Sequence, residues 1–164
     1  MPIKSASSDE RPRASGDFID SPVFKLLLAS SLLARPFTES IGPERDLTLP
    51  EWRSLVALHA KGGLSNIDVS ELTGLDAMTV SRALDRLRRN GRVERARDEA
   101  DGRRQINKLT SDGRATYRAV VKLARDRQKA MTRGMSAADV ENLERTLDMI
   151  IAQLREPGHY LPQE

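Results

Sequence analysis

The chain has no cysteine among its 164 residues. That excludes a disulfide framework, a zinc–thiolate site, a thiol nucleophile and thiol-based redox sensing. Aromatic side chains are nearly as scarce, at 4% of the sequence, so a core has to be built from Leu, Val, Ile and Ala. The two histidines, His59 and His159, lie far apart in the chain. No His-x-x-His or His-Glu pair, Gly-rich phosphate loop or nucleophile elbow accompanies them. These absences argue against an enzyme, and neither a catalytic residue nor a metal or other cofactor is expected. Long hydrophobic runs are missing too. Leu26–Ala34 reads LLLASSLLA between Lys25 and Arg35, well short of the about 20 apolar residues that cross a bilayer. The segment before it sets Asp9, Glu10, Asp17 and Asp20 against Lys4, Arg11 and Arg13, the wrong balance for a secretory leader. A cytoplasmic protein without a membrane partner is expected.

Nor does charge of one sign dominate. With 27 basic and 24 acidic residues the net charge is only +3, although 31% of the chain is charged. The 38% apolar content suffices for a packed core, and the length suits one domain with a small appendage.

Helix starts are legible from capping chemistry, in which a side-chain oxygen satisfies backbone N–H groups that have no intrahelical partner. Ser21-Pro22 opens a first helix with Val23, Phe24, Leu27, Leu28 and Leu32 on one face, and Pro36 must kink or end it. Thr48 and Glu51 form a capping box, with Leu47 and Trp52 as the flanking apolar staple, for a helix stopping at Gly62-Gly63. Ser65 and Asp68 repeat the pattern for a short helix ending near Gly74. Asp76 caps the next, which runs to Asn90-Gly91. Thr110 is placed to cap a long helix over 111–133, and Ser136 with Asp139 opens the last. Between Gly91 and Thr110 the helical stripe disappears, and 93–97 and 105–109 read as a two-stranded hairpin. Two short helices around a Gly-containing turn, followed by a hairpin, make a winged helix-turn-helix. The fold class is therefore mainly α (α+β).

In such a motif the second helix enters the major groove of DNA. At about 100° per residue, Val80, Ala83, Leu84 and Leu87 share one side of this helix. Met78, Arg82, Asp85 and Arg89 lie opposite, with Ser81 and Arg86 on the flanks. Arg82 is the residue type that pairs with guanine through two hydrogen bonds, and Ser81 can meet a base or phosphate at close range. Arg86 and Arg89 suit phosphates, and Ser65 and Thr79 are assigned to the same surface. Taken alone, such a face is equally a solvated basic helix surface. The charge distribution favours DNA. From Arg82 to Arg97 there are seven arginines and two acids, a net +5, which leaves −2 for everything else. Phosphate neutralisation needs this local density. Arg103 and Arg104, beside Gly102, put two more arginines at the hairpin tip, where a narrow minor groove attracts them.

The span 47–113 resembles the MarR family of bacterial transcriptional regulators. Its strongest signature is the wing, Asp98-Glu-Ala-Asp101-Gly102-Arg103-Arg104-Gln-Ile-Asn-Lys-Leu109-Thr110-Ser-Asp-Gly113. Thr79-Val80-Ser81-Arg82-Ala-Leu-Asp-Arg86-Leu87 and Leu47-Thr-Leu-Pro-Glu-Trp52 are also similar to the family pattern. The resemblance implies that Arg103 enters the minor groove, that Asp101 orients the wing arginines, and that the first helix and the last two interleave with a second subunit. A stripe of Val140, Leu143, Leu147, Ile150, Ile151 and Leu154, unpartnered within the DNA-binding unit, agrees with that role. A two-fold homodimer demands a pseudo-palindromic operator in double-stranded DNA. Arg92, where the family usually carries an apolar residue, and Pro36, where its first helix is usually continuous, are departures.

The expected organisation is a disordered tail over 1–17, a dimerisation helix and connector over 18–46, and the DNA-binding domain over 47–110. Dimerisation helices over 111–155 and a tail over 156–164 complete it. Many members of the family bind a small, often aromatic acid, and the resemblance suggests Trp52, Arg53 and His59 as contacts: a ring to stack on and cations for a carboxylate. Each also has a plainer reading, Trp52 as the staple residue and His59 as a partly buried core histidine. The expected function is a repressor released by a small-molecule effector; the alternative is a ligand-independent architectural or antisilencing protein.

Overall fold

A computed structural model describes residues 17–99 and 101–156. Apart from Asp17 and Glu156, the expected tails lie outside the described residues. The chain divides into two compact units, one through Tyr117 and one from Arg118.

The first unit opens with a 3-10 turn, Phe18–Asp20, and then α1, Pro22–Pro36, capped by the Ser21 hydroxyl, which accepts from the Phe24 amide at 3.2 Å. Pro36 ends the regular helix because it has no N–H to donate. The backbone widens into a π-helical turn, Phe37–Ile41, in which the hydroxyls of Thr38 and Ser40 donate to the carbonyls of Arg35 and Pro36, each at 2.9 Å. A one-turn helix that sequence pattern did not announce, α2 (Gly42–Arg45), follows and closes on Asp46 in the left-handed region at φ 49°.

The expected caps then appear in order. α3, Leu49–Lys61, and α4, Asn66–Thr73, each carry both halves of a capping box. α5, Ala77–Arg89, starts on Asp76, whose carboxylate accepts from the Thr79 amide at 2.8 Å. α6, Ser111–Met131, starts beyond Thr110, whose hydroxyl accepts from Gly113 at 3.1 Å. Such caps contribute about 1 kcal/mol each. The core between these helices is aliphatic: Leu55 and Leu58 from α3, Val69 from α4, and Val80, Leu84 and Leu87 from α5 are all at most 1% exposed.

The wing has three strands where two were expected. β2, Val93–Arg97, pairs antiparallel with β3, Gln105–Leu109, and a short β1, Gly63–Leu64, adds to the other edge of β3. Gly62, at φ 87°, turns the chain out of α3 into this strand. Buried Asn107 then holds it, donating to the Leu64 carbonyl at 3.0 Å. Gly113 is fixed by crowding, since a Cβ there would stand 2.0 Å from the Arg92 carbonyl oxygen.

The second unit contains the remainder of α6 and α7, Ala137–Arg155, which begins with the Ser136–Asp139 capping box. None of the α7 side chains is buried, and the same holds for α1.

Candidate nucleic-acid interface

α5 separates its two faces as its sequence demands. Val80, Ala83, Leu84 and Leu87 are buried, while Met78, Arg82, Asp85 and Arg89 are exposed. The nine arginines from the start of α5 to the wing fall into two classes. Arg82, Arg89, Arg95, Arg97 and Arg103 are exposed, and no hydrogen bond or ion pair holds their guanidinium groups among the described residues. The other four are engaged within the fold.

Arg86 faces the α3 capping box. Its Nη1 donates to both oxygens of Glu51 at 2.7 and 2.8 Å, and its Nη2 pairs with Asp46. Glu51 is 1% exposed and also accepts from the Thr48 amide at 2.9 Å. A buried carboxylate needs such partners, because leaving it unpaired costs several kcal/mol. The Glu51 hydrogen bond, with the nearby carboxylates, outweighs burial and raises the Arg86 pKa above its ordinary value. The expectation of a phosphate contact is therefore replaced by a structural role. Arg88 pairs with Asp85 and donates to Asn107 at 3.1 Å. Arg92 donates to the carbonyls of Asp46 and Arg45 at 2.7 and 2.8 Å. Those carbonyls, at the end of α2, explain why a cation stands where an apolar residue is usual, and β2 keeps its register from Val93 onward.

Arg104 is the fourth. Its Nη2 lies 2.5 and 2.6 Å from the Asp68 carboxylate and 3.3 Å from the Ser65 hydroxyl, which ties the wing to the start of α4. Partial burial works to raise the Asp68 carboxyl, but the Ser65 amide and hydroxyl and the Arg104 charge prevail, holding it below the usual carboxylate range. Ser65 and Thr79, both expected to face DNA, use their hydroxyls as part of the caps; that of Thr79 donates to Asp76 at 2.6 Å. The Ser81 hydroxyl has no partner among the described residues. Asp101 acts through the backbone: its carboxylate accepts from the Arg103 amide at 3.0 Å and shapes the turn.

Residues 47–104 match the sequence profile of the MarR family. A probable transcriptional regulator from Pseudomonas aeruginosa is 30% identical in sequence, covering 82% of this chain and 99% of its own, with a TM-score of 0.69. The chain belongs to the MarR family. Two further structures agree. BpsR of Bordetella bronchiseptica, whose DNA binding is regulated by 6-hydroxynicotinic acid, is 27% identical over 82% of this chain and 95% of its own, at a TM-score of 0.71. A mutant of MarR from E. coli, complexed with operator DNA, is 25% identical over 82% of this chain and 98% of its own, at 0.68. The MarR family consists of transcriptional regulators rather than enzymes, in keeping with the lack of catalytic motifs. Among the described residues no helix is long and apolar enough to cross a membrane.

In this MarR-family chain the three residues assigned to a ligand do not form one group. Trp52 lies between Phe37 and Tyr117, with near-parallel rings at centroid distances of 6.4 and 5.7 Å, and His59 stacks on Tyr117 at 3.8 Å. With neighbours already stacked on it, the Trp52 ring serves the column more than an incoming ligand. His59 is exposed rather than a core histidine, and it borders a cavity of about 450 Å³ that also meets Lys108 and Arg114. Arg53 points elsewhere. It bonds the Thr73 carbonyl and borders a separate groove of about 320 Å³ with Leu72 and Lys61. Adjacent positions on a helix diverge by about 100°, which accounts for the separation. Phe37 and Tyr117 escaped sequence reasoning because only the tertiary fold brings the turn after α1, α3 and the start of α6 together.

Proposed function

We propose that this protein is a transcriptional repressor that binds a pseudo-palindromic operator as a cytoplasmic homodimer and is released by a small acidic effector. The observation that carries the reading is the sorting of the arginines. Arg82 and Arg89 line the exposed face of α5, Arg95 and Arg97 follow on β2, and Arg103 stands at the wing. The remaining four are bound to carboxylates and carbonyls of the fold instead. Exposed, unpaired guanidinium groups on one helix and the strand after it suit phosphates and base edges in one duplex. The operator complex of the related E. coli protein supports the same partner.

The effector reading rests on His59. It ends the aromatic column at a cavity lined also by Glu94, Lys108 and Arg114. Lys108 pairs with Glu99 and Arg114 donates to the Leu109 carbonyl, so a ring can stack there while a carboxylate competes for either cation. Regulation of the related BpsR by 6-hydroxynicotinic acid supports an aromatic acid.

Fluorescence anisotropy with full-length protein and operator duplex at graded salt tests the DNA reading. Five free arginines per subunit limit the slope of log K against log salt to about −9 for a dimer, at roughly 0.9 per neutralised phosphate. Equal affinity for operator and random duplex would overturn it. Release of the duplex by 6-hydroxynicotinic or phenolic acids, abolished by His59→Ala, is the expected effector result; indifference to all such acids would leave a ligand-independent regulator.

A further inference from the structure

Met78 is 62% exposed and is the one large apolar side chain that α5 leaves to solvent. It stands at the second position of the helix, one turn before Arg82 on the same outward stripe. The residues around it are committed. The Thr79 hydroxyl and amide are bound to Asp76 at 2.6 and 2.8 Å, and Asp85 is paired with Arg88. Among its side chains, the first turn of the helix therefore offers a base edge a thioether and no uncommitted polar group, since the Ala77 methyl carries none.

The chemistry of that group restricts what it can read. Methionine has no donor and only a weak acceptor, so the base-edge hydrogen bonds of the major groove are closed to it. The apolar feature on the groove floor is the 5-methyl group of thymine, which cytosine lacks. An unbranched side chain with three rotatable bonds can adapt to it. We infer that Met78 is a specificity-determining residue that reads a thymine methyl within each half-site. The inference rests on the DNA-binding function proposed above. Because four residues of helix advance about 6 Å, the thymine stands one or two base pairs from the base that Arg82 contacts.

An operator is first selected from a random duplex library with the full-length protein. Each thymine of the half-site is then replaced by uracil, which removes only the methyl. One position is expected at which uracil weakens binding about fourfold, the worth of one buried methyl. There Met78→Ala binds both duplexes alike, while Met78→Leu keeps the discrimination. Uracil tolerated at every position, or discrimination retained in Met78→Ala, would overturn the inference while leaving DNA binding intact. Failure to enrich any sequence would overturn the DNA-binding reading itself. The exposure of Met78 keeps both variants folded, which an unchanged melting temperature verifies.

Discussion

α1 and α5 are similar in length, 15 and 13 residues, yet they solve opposite problems. α5 buries Val80, Ala83, Leu84 and Leu87, leaves Met78 as its one large apolar side chain in solvent, and turns arginines outward. α1 buries none, and Leu26, Leu27, Leu28, Leu32 and Leu33 are exposed along it. α5 has a buried aliphatic face; α1 has none, and in the homodimer proposed above a second subunit would cover its leucines. A run of exposed leucines on a capped helix marks an interface rather than a finished surface, and α7 repeats the pattern with Leu143, Ile151 and Leu154.

The contrast can be broken most directly at α1. Leu27→Glu combined with Leu32→Glu is expected to yield a monomer in analytical ultracentrifugation and to reduce operator affinity by more than about a hundredfold, since one half-site contact set is lost. A dimer that persists would show that α1 is finished without a partner. Within the DNA-binding unit, Arg86→Ala leaves buried Glu51 without its cation and should cost about 3 kcal/mol in urea unfolding. Arg89→Ala, on the exposed face, should stay within about 0.5 kcal/mol; equal losses would erase the distinction between the two arginine classes. Arg82→Ala should weaken operator binding by roughly 1–3 kcal/mol and relax one base position, whereas Arg103→Ala should reduce the salt slope by about 1 per subunit. Arg92→Ala, already bonded to backbone carbonyls, should leave that slope unchanged.

The smallest effect concerns acid. The Asp68 carboxyl titrates below its ordinary value of 3.8 in the folded protein. Its stabilising contribution is therefore complete above the unfolded value and is lost as the pH falls through the lower, folded one. Urea midpoints below pH about 4 should decline less steeply for Asp68→Asn than for the unaltered protein. Parallel declines would mean that Asp68 contributes nothing at the wing.

Local chemistry was readable in advance. The caps at Thr48, Ser65, Asp76 and Ser136, the buried face of α5 and the hairpin at 93–109 all follow from neighbours within a few residues. Long-range relations were not. Arg86 and Arg89 differ little on a helical wheel, and only the arrival of Glu51 and Asp46 from 35 and 40 residues away separates them. Arg104 looked as free as Arg103 until Asp68 met it across the fold. Trp52 and Arg53 are neighbours in sequence that face different surroundings, while Tyr117 joined the aromatic column unannounced. β1 was hidden because two residues carry no periodicity.

Asp46 gathers more than any other residue of the connector. Its carboxylate receives Arg86 and the Asn90 amide at 3.0 Å, and its carbonyl receives Arg92. These three anchors span the last turn of α5 and the approach to the wing. The short segment leading from α1 is thus yoked to the trailing end of the helix that carries Met78 and Arg82. The link is polar and lies outside the aliphatic core: one side chain of α5, one from its C-cap and one from the start of the wing converge on a single connector residue. Removing the Asp46 carboxylate would leave Arg86 with Glu51 alone and the Asn90 side-chain amide without this acceptor.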